Sequence, residues 1–506
     1  MSRARAVLTV WLLASCWSGG LHLRAALDPP AGRAFAGNFH WIDDFYNYLS
    51  YAQQAEDGQV LFRNKLARQG PARLVNVEWW LVGTASRWLG GRPLLAYALL
   101  GAAATLALLA AADRWLSRLA LPQSHRTAAL ALLAFGGGLG GLLFQLTELD
   151  LPRCVDLSVA AFPFLEIAGN PHFVAGTALL LWSLWFFSEQ PAPWGPLLGI
   201  LTGSVLALVR PYEVGLLVAM RVAAALATEP RGRWLRSLLP LLGLVPVMAY
   251  DAWVFFGTGA FATFRQGGVF PGRLESAAAL GPALVLALAE WRRPARGSEH
   301  RRARLQLWAW AAIGLVLLLG RPGGFSLQLV VGLGVPLLLL GAAALGEFDR
   351  KVVVLAALAL STSAVVETRI LLADDPNWFV PAERLATARA LRDVCHPGDR
   401  LLAPPDISLF AVGLSSCDAY VAHPAARDFA EHLARTRAFY AEMTPAARTA
   451  FLAAEGLTQL VLPGWAGPAP ADWLGPGTEF RSARVIGSAR PLLSIYSRAS
   501  DAPGTR

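Results

Sequence analysis

The stretch PLLAYALLGAAATLALLAAA, residues 93–112, decides the fold class of this chain. It runs for twenty residues without a charged side chain, and about 20 apolar residues are what a helix needs to cross a bilayer. Comparable apolar runs lie on both sides of it, at residues 1–27, 127–145, 171–188, 195–209, 211–227, 237–256, 276–290, 305–320, 325–345 and 352–372. The sequence therefore predicts a polytopic α-helical membrane protein of about eleven spans.

The composition supports lipid as the main solvent of the protein. Of the 506 residues, 55% are hydrophobic and only 16% are charged, and the mean hydropathy is +0.44. The net charge of +9 does not indicate a nucleic-acid partner, because most arginines lie in short stretches between apolar runs, where they orient helices. The four cysteines form no CxxC or Cys/His pattern, which excludes a zinc finger.

The arginines also predict the orientation of the chain, since positive residues are retained in the cytoplasm. They cluster in alternate loops, namely at Arg3 and Arg5, at Arg114, Arg118 and Arg126, at Arg231, Arg233 and Arg236, and at Arg292, Arg293, Arg296, Arg301, Arg302 and Arg304. We therefore expect a multi-pass protein of a bacterial inner (cytoplasmic) membrane with a cytoplasmic N-terminus. Residues 28–92 and 373–506 are then both extracytoplasmic.

The composition of the chain changes at Asp374-Asp375-Pro376. From there, amphipathic stretches alternate with short β-like runs, which predicts a C-terminal soluble α/β domain over residues 373–506. Residues 1–372 form the predicted transmembrane module, with residues 28–92 as its first external loop. Cys395 and Cys417 both lie in the C-terminal domain, where an oxidising compartment would allow them either to form a disulfide or to remain free thiols.

The first external loop carries an acidic pair among aromatic residues, FHWIDDFYNYL at residues 39–49. Two adjacent carboxylates can accept a proton, bind a divalent metal ion or hold a hydroxyl-bearing acceptor. The structural alternative is that Asp43 or Asp44 caps a helix over residues 45–57, since Asp is a favoured N-cap.

Acidic residues recur on the same predicted side at Glu148, Asp150 and Asp156. Carboxylates from both loops could share a divalent ion, because hard cations favour oxygen ligands, although solvated loop residues are the alternative. Arg210 and Glu213 lie where two apolar runs meet at the outer face. This arginine either binds a lipid phosphate or forms a structural ion pair with Glu213.

Several segments together resemble the GT-C superfamily of multispan glycosyltransferases, which use polyprenyl-phosphate-linked sugars, and in particular the dolichyl/polyprenyl-phosphate mannosyltransferase and aminoarabinose transferase group. These segments are Asp43-Asp44-x-Tyr46, the Gly-rich run at 136–141, Asn170-Pro171-His172, Arg210-Pro211-Tyr212, Val335-Pro336-Leu337, Tyr420-Val421-Ala422-His423 and Arg437-Ala438-Phe439-Tyr440.

The resemblance implies a GT-C-like membrane fold and a glycosyltransferase that inverts the anomeric carbon. By this resemblance Asp43 or Asp44 is the base that deprotonates the acceptor. The implied substrate- and donor-binding residues are Tyr46, His172, Arg210, Tyr212 and Glu213, and a possible divalent metal ion is assigned to Asp43, Glu148 and Asp150. The implied partners are a polyprenyl-phosphate-linked sugar donor, membrane lipids and a lipid, glycan or protein acceptor.

Two other functions remain open from the residues alone. One is a transporter or flippase for a lipid or small solute, and the other is a non-catalytic scaffold of the cell envelope. The few ionisable residues within the apolar runs argue against a transporter, and no pair of interrupted spans indicates one.

Overall fold

The computed structural model describes residues 2–66, 72–147, 154–188, 194–257, 271–320, 326–424, 426, 428–463, 480–486 and 493–498. In chain order the helices are α1 (Arg3–Leu27), α2 (Ile42–Glu56), α3 (Val77–Trp88), α4 (Pro93–Arg118), α5 (Arg126–Phe135), α6 (Gly140–Leu146), α7 (Val155–Ser158), α8 (Pro163–Gly169), α9 (Pro171–Ser188), α10 (Gly195–Val209), α11 (Pro211–Thr228), α12 (Trp234–Leu238), α13 (Val245–Ala252), α14 (Arg273–Trp291), α15 (Ser298–Gly320), α16 (Gly334–Leu345), α17 (Arg350–Leu360), α18 (Thr362–Leu371), α19 (Ala382–Ala390), α20 (Pro405–Leu414), α21 (Phe429–Ala441) and α22 (Pro445–Ala454). The strands are β1 (Arg33–Phe35), β2 (Phe379–Pro381), β3 (Arg400–Leu402), β4 (Asp418–Ala419), β5 (Gln459–Pro463), β6 (Phe480–Ile486) and β7 (Leu493–Arg498).

The chain divides into two compact units that alternate along the sequence. The helical unit comprises Met1–Ala25, Tyr97–Trp253 and Gln266–Ala373, and the mixed unit comprises Ala26–Ala96, Val254–Arg265 and Asp374–Arg506. The first external loop and the C-terminal region thus belong to one compact unit. The predicted domain boundary at residues 372 and 373 remains a prediction.

The membrane-spanning character of the chain is confirmed. Among the described residues, eight helices are long and apolar enough to cross a bilayer, and a ninth span results if the bent pair at residues 123–135 and 140–146 crosses as one. The helices α10 and α16 are also apolar but shorter. Large apolar side chains such as Leu99, Val316 and Leu355 are exposed on these helices, as lipid-facing positions require. The predicted count of about eleven remains a prediction.

A buried carboxylate explains the Gly-rich run at 136–141. The chain bends by 51° between Gln123–Phe135 and Gly140–Leu146, and Asp156 Oδ2 accepts hydrogen bonds there from the amides of Gly138 and Gly140 at 3.3 and 3.0 Å. Its third donor is the hydroxyl of Ser363, at 2.6 Å. A Cβ on Gly140 would lie 2.0 Å from Asp156 Oδ1, so that glycine is sterically required.

The described residues of the mixed unit form two sheets. Strands β1 and β2 pair antiparallel, with Arg33 opposite Pro381. The second sheet has the order β4-β3-β5-β7-β6, in which β3 is parallel to β4 and β5, whereas β7 is antiparallel to β5 and β6. This mixed sheet with its helices confirms the predicted C-terminal α/β region.

The core of this region forms where helices cover the sheet. The side chains of Leu402, Phe439 and Leu460 are fully buried there. Thr444 is the N-cap of α22, since its hydroxyl accepts a hydrogen bond from the amide of Ala447 at 3.3 Å. The following proline occupies a first-turn position, where its missing N–H costs nothing.

A disulfide joins Cys395 and Cys417, whose Cα atoms lie 5.3 Å apart. Both cysteines are buried. The bridge fixes the loop that enters β3 to the residue just before β4, so the parallel edge of the sheet is cross-linked. Of the two possibilities left open by the sequence, the structure contains the disulfide.

Candidate functional site

The acidic pair lies in the first turn of α2, in the mixed unit. The helix begins at Ile42, and its N-cap position is Trp41, which adopts a left-handed conformation with φ 50° and makes no side-chain capping hydrogen bond. Asp43 and Asp44 therefore lie inside the helix, and the interpretation of either as the N-cap is wrong.

The two carboxylates have different surroundings. The side chain of Asp43 is exposed, yet the protein around it still displaces water, and this desolvation raises its pKa above 3.8. The charge of Asp44 raises the pKa further, whereas His423 lowers it. A carboxylate with a raised pKa is a better proton acceptor than an ordinary aspartate.

His423 approaches the pair from the C-terminal part of the same unit. Its Nε2 lies 3.5 Å from Oδ1 of Asp44, and the histidine side chain is 8% exposed while that of Asp44 is 37% exposed. The segment containing His423 was singled out from the sequence, but no role was assigned to this residue. Nothing local could reveal the contact, because the two residues are 379 positions apart.

Helix α2 is held tightly against its neighbours. Tyr46, predicted to bind substrate, is buried, donates its hydroxyl to the carbonyl of Ala36 at 2.8 Å and packs edge-on against Phe410 with ring centroids 4.7 Å apart. A Cβ on Gly413 would lie 2.8 Å from this tyrosine ring, which shows how closely α20 approaches. The contacts of Tyr46 fix the orientation of the turn that carries the acidic pair.

Two cations connect the first external loop to the C-terminal region within the mixed unit. Arg63 forms an ion pair with Asp418 at 2.8 Å. Lys65 is buried and donates three hydrogen bonds, to Gln53 Oε1 at 2.7 Å and to the carbonyls of Val412 and Ser415 at 2.8 and 2.5 Å. These contacts hold the C-terminal end of α20 and the start of β4 against the loop that follows α2.

The other predicted binding residues lie in the helical unit. Arg210 is fully buried, and its Nε lies 2.6 Å from Oε1 of Glu213, so the structural ion pair considered from the sequence is present. The guanidinium also stacks over the ring of Phe173 at 4.5 Å. His172 is buried at the start of α9, while the hydroxyl of the half-buried Tyr212 donates to Gln328 Oε1 at 3.0 Å.

The predicted metal site receives no support from the described residues. Among them, no three His, Cys, Asp or Glu side chains come together as ligands. Asp156 already accepts hydrogen bonds from two glycine amides and from the hydroxyl of Ser363. Glu148 and Asp150 lie outside the described residues, so their assignment to a metal remains a prediction.

Comparison with known proteins relates this architecture to membrane glycosyltransferases. ArnT from Cupriavidus metallidurans superimposes with a TM-score of 0.54 at 15% identity and covers the whole of both chains. The mycobacterial arabinofuranosyltransferase AftD matches 98% of this chain with a TM-score of 0.57 and 17% identity, although this chain spans only 40% of AftD. An oligosaccharyltransferase from Archaeoglobus fulgidus matches 90% of this chain and 69% of its own, with a TM-score of 0.54 and 12% identity.

This chain has the GT-C glycosyltransferase fold. The likeness is one of structure, and with ArnT it extends over the full length of this chain. No family model matches the chain, and no curated protein matches it. One of the GT-C structures is ArnT bound to undecaprenyl phosphate, which matches with a TM-score of 0.53 at 14% identity. The predicted GT-C-like architecture is thereby confirmed.

Proposed function

We propose that this chain is a membrane glycosyltransferase that moves a sugar from a polyprenyl-phosphate carrier to an extracytoplasmic acceptor, with Asp43 as the base. The observation that carries the proposal is the exposed acidic pair at the start of α2 in a chain of GT-C fold. Asp43 serves neither as a cap nor as an ion-pair partner among the described residues, so a catalytic role accounts for its position. Its raised pKa suits proton acceptance.

The reaction is a displacement at the anomeric carbon. Asp43 takes the proton of the acceptor hydroxyl as the acceptor oxygen forms its bond to the anomeric carbon. The bond between that carbon and the phosphate oxygen breaks on the opposite face, and polyprenyl phosphate leaves with the bonding electrons. Attack from the opposite face inverts the configuration. The proton and charge balance without a further reactant.

Two observations support an extracytoplasmic position for the mixed unit, namely its disulfide and the distribution of arginines along the chain. Disulfides persist in oxidising compartments, and the Cys395–Cys417 bridge belongs to the same compact unit as the acidic pair. The arginine-rich alternate loops give the same orientation. We therefore assign the mixed unit, and the reaction, to the extracytoplasmic side of a bacterial inner membrane.

The donor phosphate is assigned to the helical unit. His172, Arg210, Tyr212 and Glu213 remain the candidate residues, because arginine recognises phosphate by paired hydrogen bonds. Binding at this position would exchange part of the contact between Arg210 and Glu213 for contacts to the phosphate. The acceptor is a lipid, glycan or protein with a free hydroxyl or amine.

The test uses the purified protein in phospholipid bilayers with a panel of radiolabelled undecaprenyl-phosphate sugars and cell-envelope extract as the acceptor source. Release of undecaprenyl phosphate with labelling of an acceptor is the expected result. Asp43→Asn should reduce the rate by about 10²- to 10⁴-fold, the typical contribution of a general base. Asp57→Asn is the matched control, since Asp57 follows the other end of the same helix.

Two outcomes would contradict the proposal. Full activity of Asp43→Asn would remove Asp43 from the mechanism. Movement of the labelled lipid across the bilayer without any covalent product would favour a flippase instead.

A further inference from the structure

The acidic pair has a third member, His423, contributed from the opposite end of the sequence. Its Nε2 lies 3.5 Å from Oδ1 of Asp44, and its ring is largely buried, so the histidine is held by the protein and does not sample solvent freely. His423 and the acidic pair belong to the same compact unit.

The position of His423 is fixed through the chain that precedes it. Four residues upstream, Ala419 ends β4, which pairs in parallel with β3, and its amide donates to the carbonyl of Lys65 at 3.1 Å. The disulfide at Cys417 and the ion pair of Asp418 with Arg63 secure the same strand. The backbone of His423 then accepts a hydrogen bond from the amide of Ala426 at 2.9 Å. Such support is what a precisely positioned side chain requires.

The surroundings distinguish the two carboxylates. Within the described part of the chain, the close contact of His423 is with Asp44, whereas its effect on Asp43 is a longer-range charge interaction that lowers the pKa of that carboxyl. The other ionisable groups nearby are Tyr51, which interacts with Asp44, and Arg389, which interacts with Tyr46. His423 is the basic group that the described residues place against the pair.

We propose that His423 is a positioning residue. It pairs with Asp44 and thereby fixes the orientation of the first turn of α2. Asp43 is then the carboxylate that takes the acceptor proton. This inference rests on the proposed transferase function and deepens it, because it assigns different roles to the two adjacent aspartates. It also makes the C-terminal region part of the active site, since that region contributes a group to the acidic pair.

The pairing can be tested without any activity measurement. The thermal midpoint of the full-length protein in phospholipid bilayers is measured for Asp44→Asn, His423→Gln and the double variant. If the side chains pair, the two substitutions are non-additive by about 1 to 4 °C, the amount that one partly exposed ion pair contributes. Strict additivity would overturn the proposal. The matched control is His432→Gln, because His432 stacks on Tyr420 in the same region with centroids 4.3 Å apart and should be additive with Asp44→Asn.

The role in catalysis is tested by kinetics with the donor that the wild-type protein uses. His423→Leu should lower kcat about 100-fold with KM within about twofold, because a misplaced catalytic group costs rate more than binding. The kcat of His423→Gln, which retains an N–H donor, should be about tenfold higher than that of His423→Leu. A wild-type kcat in His423→Leu, or equal kcat values in the Gln and Leu variants, would overturn the positioning role.

The two proposals fail in different ways. If no donor is turned over but the thermal cycle remains non-additive, the transferase function fails and the pairing stands. If His423→Leu does not fold, the Asp44→Asn and His423→Gln cycle still decides the pairing.

Discussion

The buried ammonium of Lys65 provides the sharpest test of how the mixed unit is held together. Replacing Lys65 with Met removes a donor from Gln53 Oε1 and from the carbonyls of Val412 and Ser415. Each oxygen left buried without its donor costs about 1 to 3 kcal/mol, whereas removal of the amine relieves the desolvation that lowers its pKa to about 7. The net loss in the variant should be about 3 kcal/mol. For a unit of roughly 200 residues, this predicts a fall in the thermal midpoint of about 6 to 12 °C.

The assay is heat-induced protease cleavage within residues 374–506 of the protein in phospholipid bilayers, followed by mass spectrometry. The chain supplies an internal control, because Lys65 and Lys351 are its only lysines and Lys351 is exposed. Lys351→Met should leave the cleavage midpoint unchanged. An amine-acylating reagent should likewise modify Lys351 in the folded protein and Lys65 only after the mixed unit opens. A shift below 2 °C in Lys65→Met, or an equal shift in Lys351→Met, would refute the reasoning.

Two further predictions concern stability. Cys417→Ser removes the disulfide to Cys395, whose sequence separation is 22 residues, and the lost chain constraint should cost about 3 kcal/mol. The same protease assay should show a lower cleavage midpoint temperature. An unchanged midpoint would contradict this prediction. Gly138→Ala should prevent folding, because its Cβ would lie 1.6 Å from the carbonyl oxygen of Ala279, whereas Gly281→Ala should be tolerated, since nothing lies within 4 Å of its Cβ. The measurement is the yield of folded protein that is extracted from membranes for each glycine variant. Equal yields would show that the protein accommodates the added Cβ at Gly138 without loss of stability.

The membrane helices were predictable because each is specified locally. A run of apolar residues bounded by arginine or proline defines a span, as at Pro211, where the proline occupies the first turn of α11. Helix α20 was not predicted. It begins at Pro405 and is apolar almost throughout, with seven of its ten residues buried, so no polar face marks a helical period.

The candidate site was predictable only in its local part. The acidic pair stood out among aromatic residues, but its relation to the helix did not, because the left-handed Trp41 starts α2 three residues earlier than the expected helix at residue 45. The role of Asp156 depends on Ser363, and the pairing of Asp44 depends on His423. Contacts between residues more than 200 positions apart leave no trace in spacing or periodicity.

The division of the mixed unit between the two ends of the chain has a consequence for biosynthesis. Strand β1 cannot pair until Phe379–Pro381 emerges, and 277 residues lie between Ala96 and Asp374. At 5 to 20 residues per second, synthesis of the intervening chain takes roughly 15 to 60 s. During that interval α2 has α3 beside it, with Tyr48 stacked on Trp79, but it lacks α20, whose Phe410 later packs against Tyr46. On the proposed topology, chaperones outside the cytoplasm are expected to bind this incomplete unit. His423 is made later still, so the acidic pair gains its histidine only after the spans that precede His423 have been synthesised.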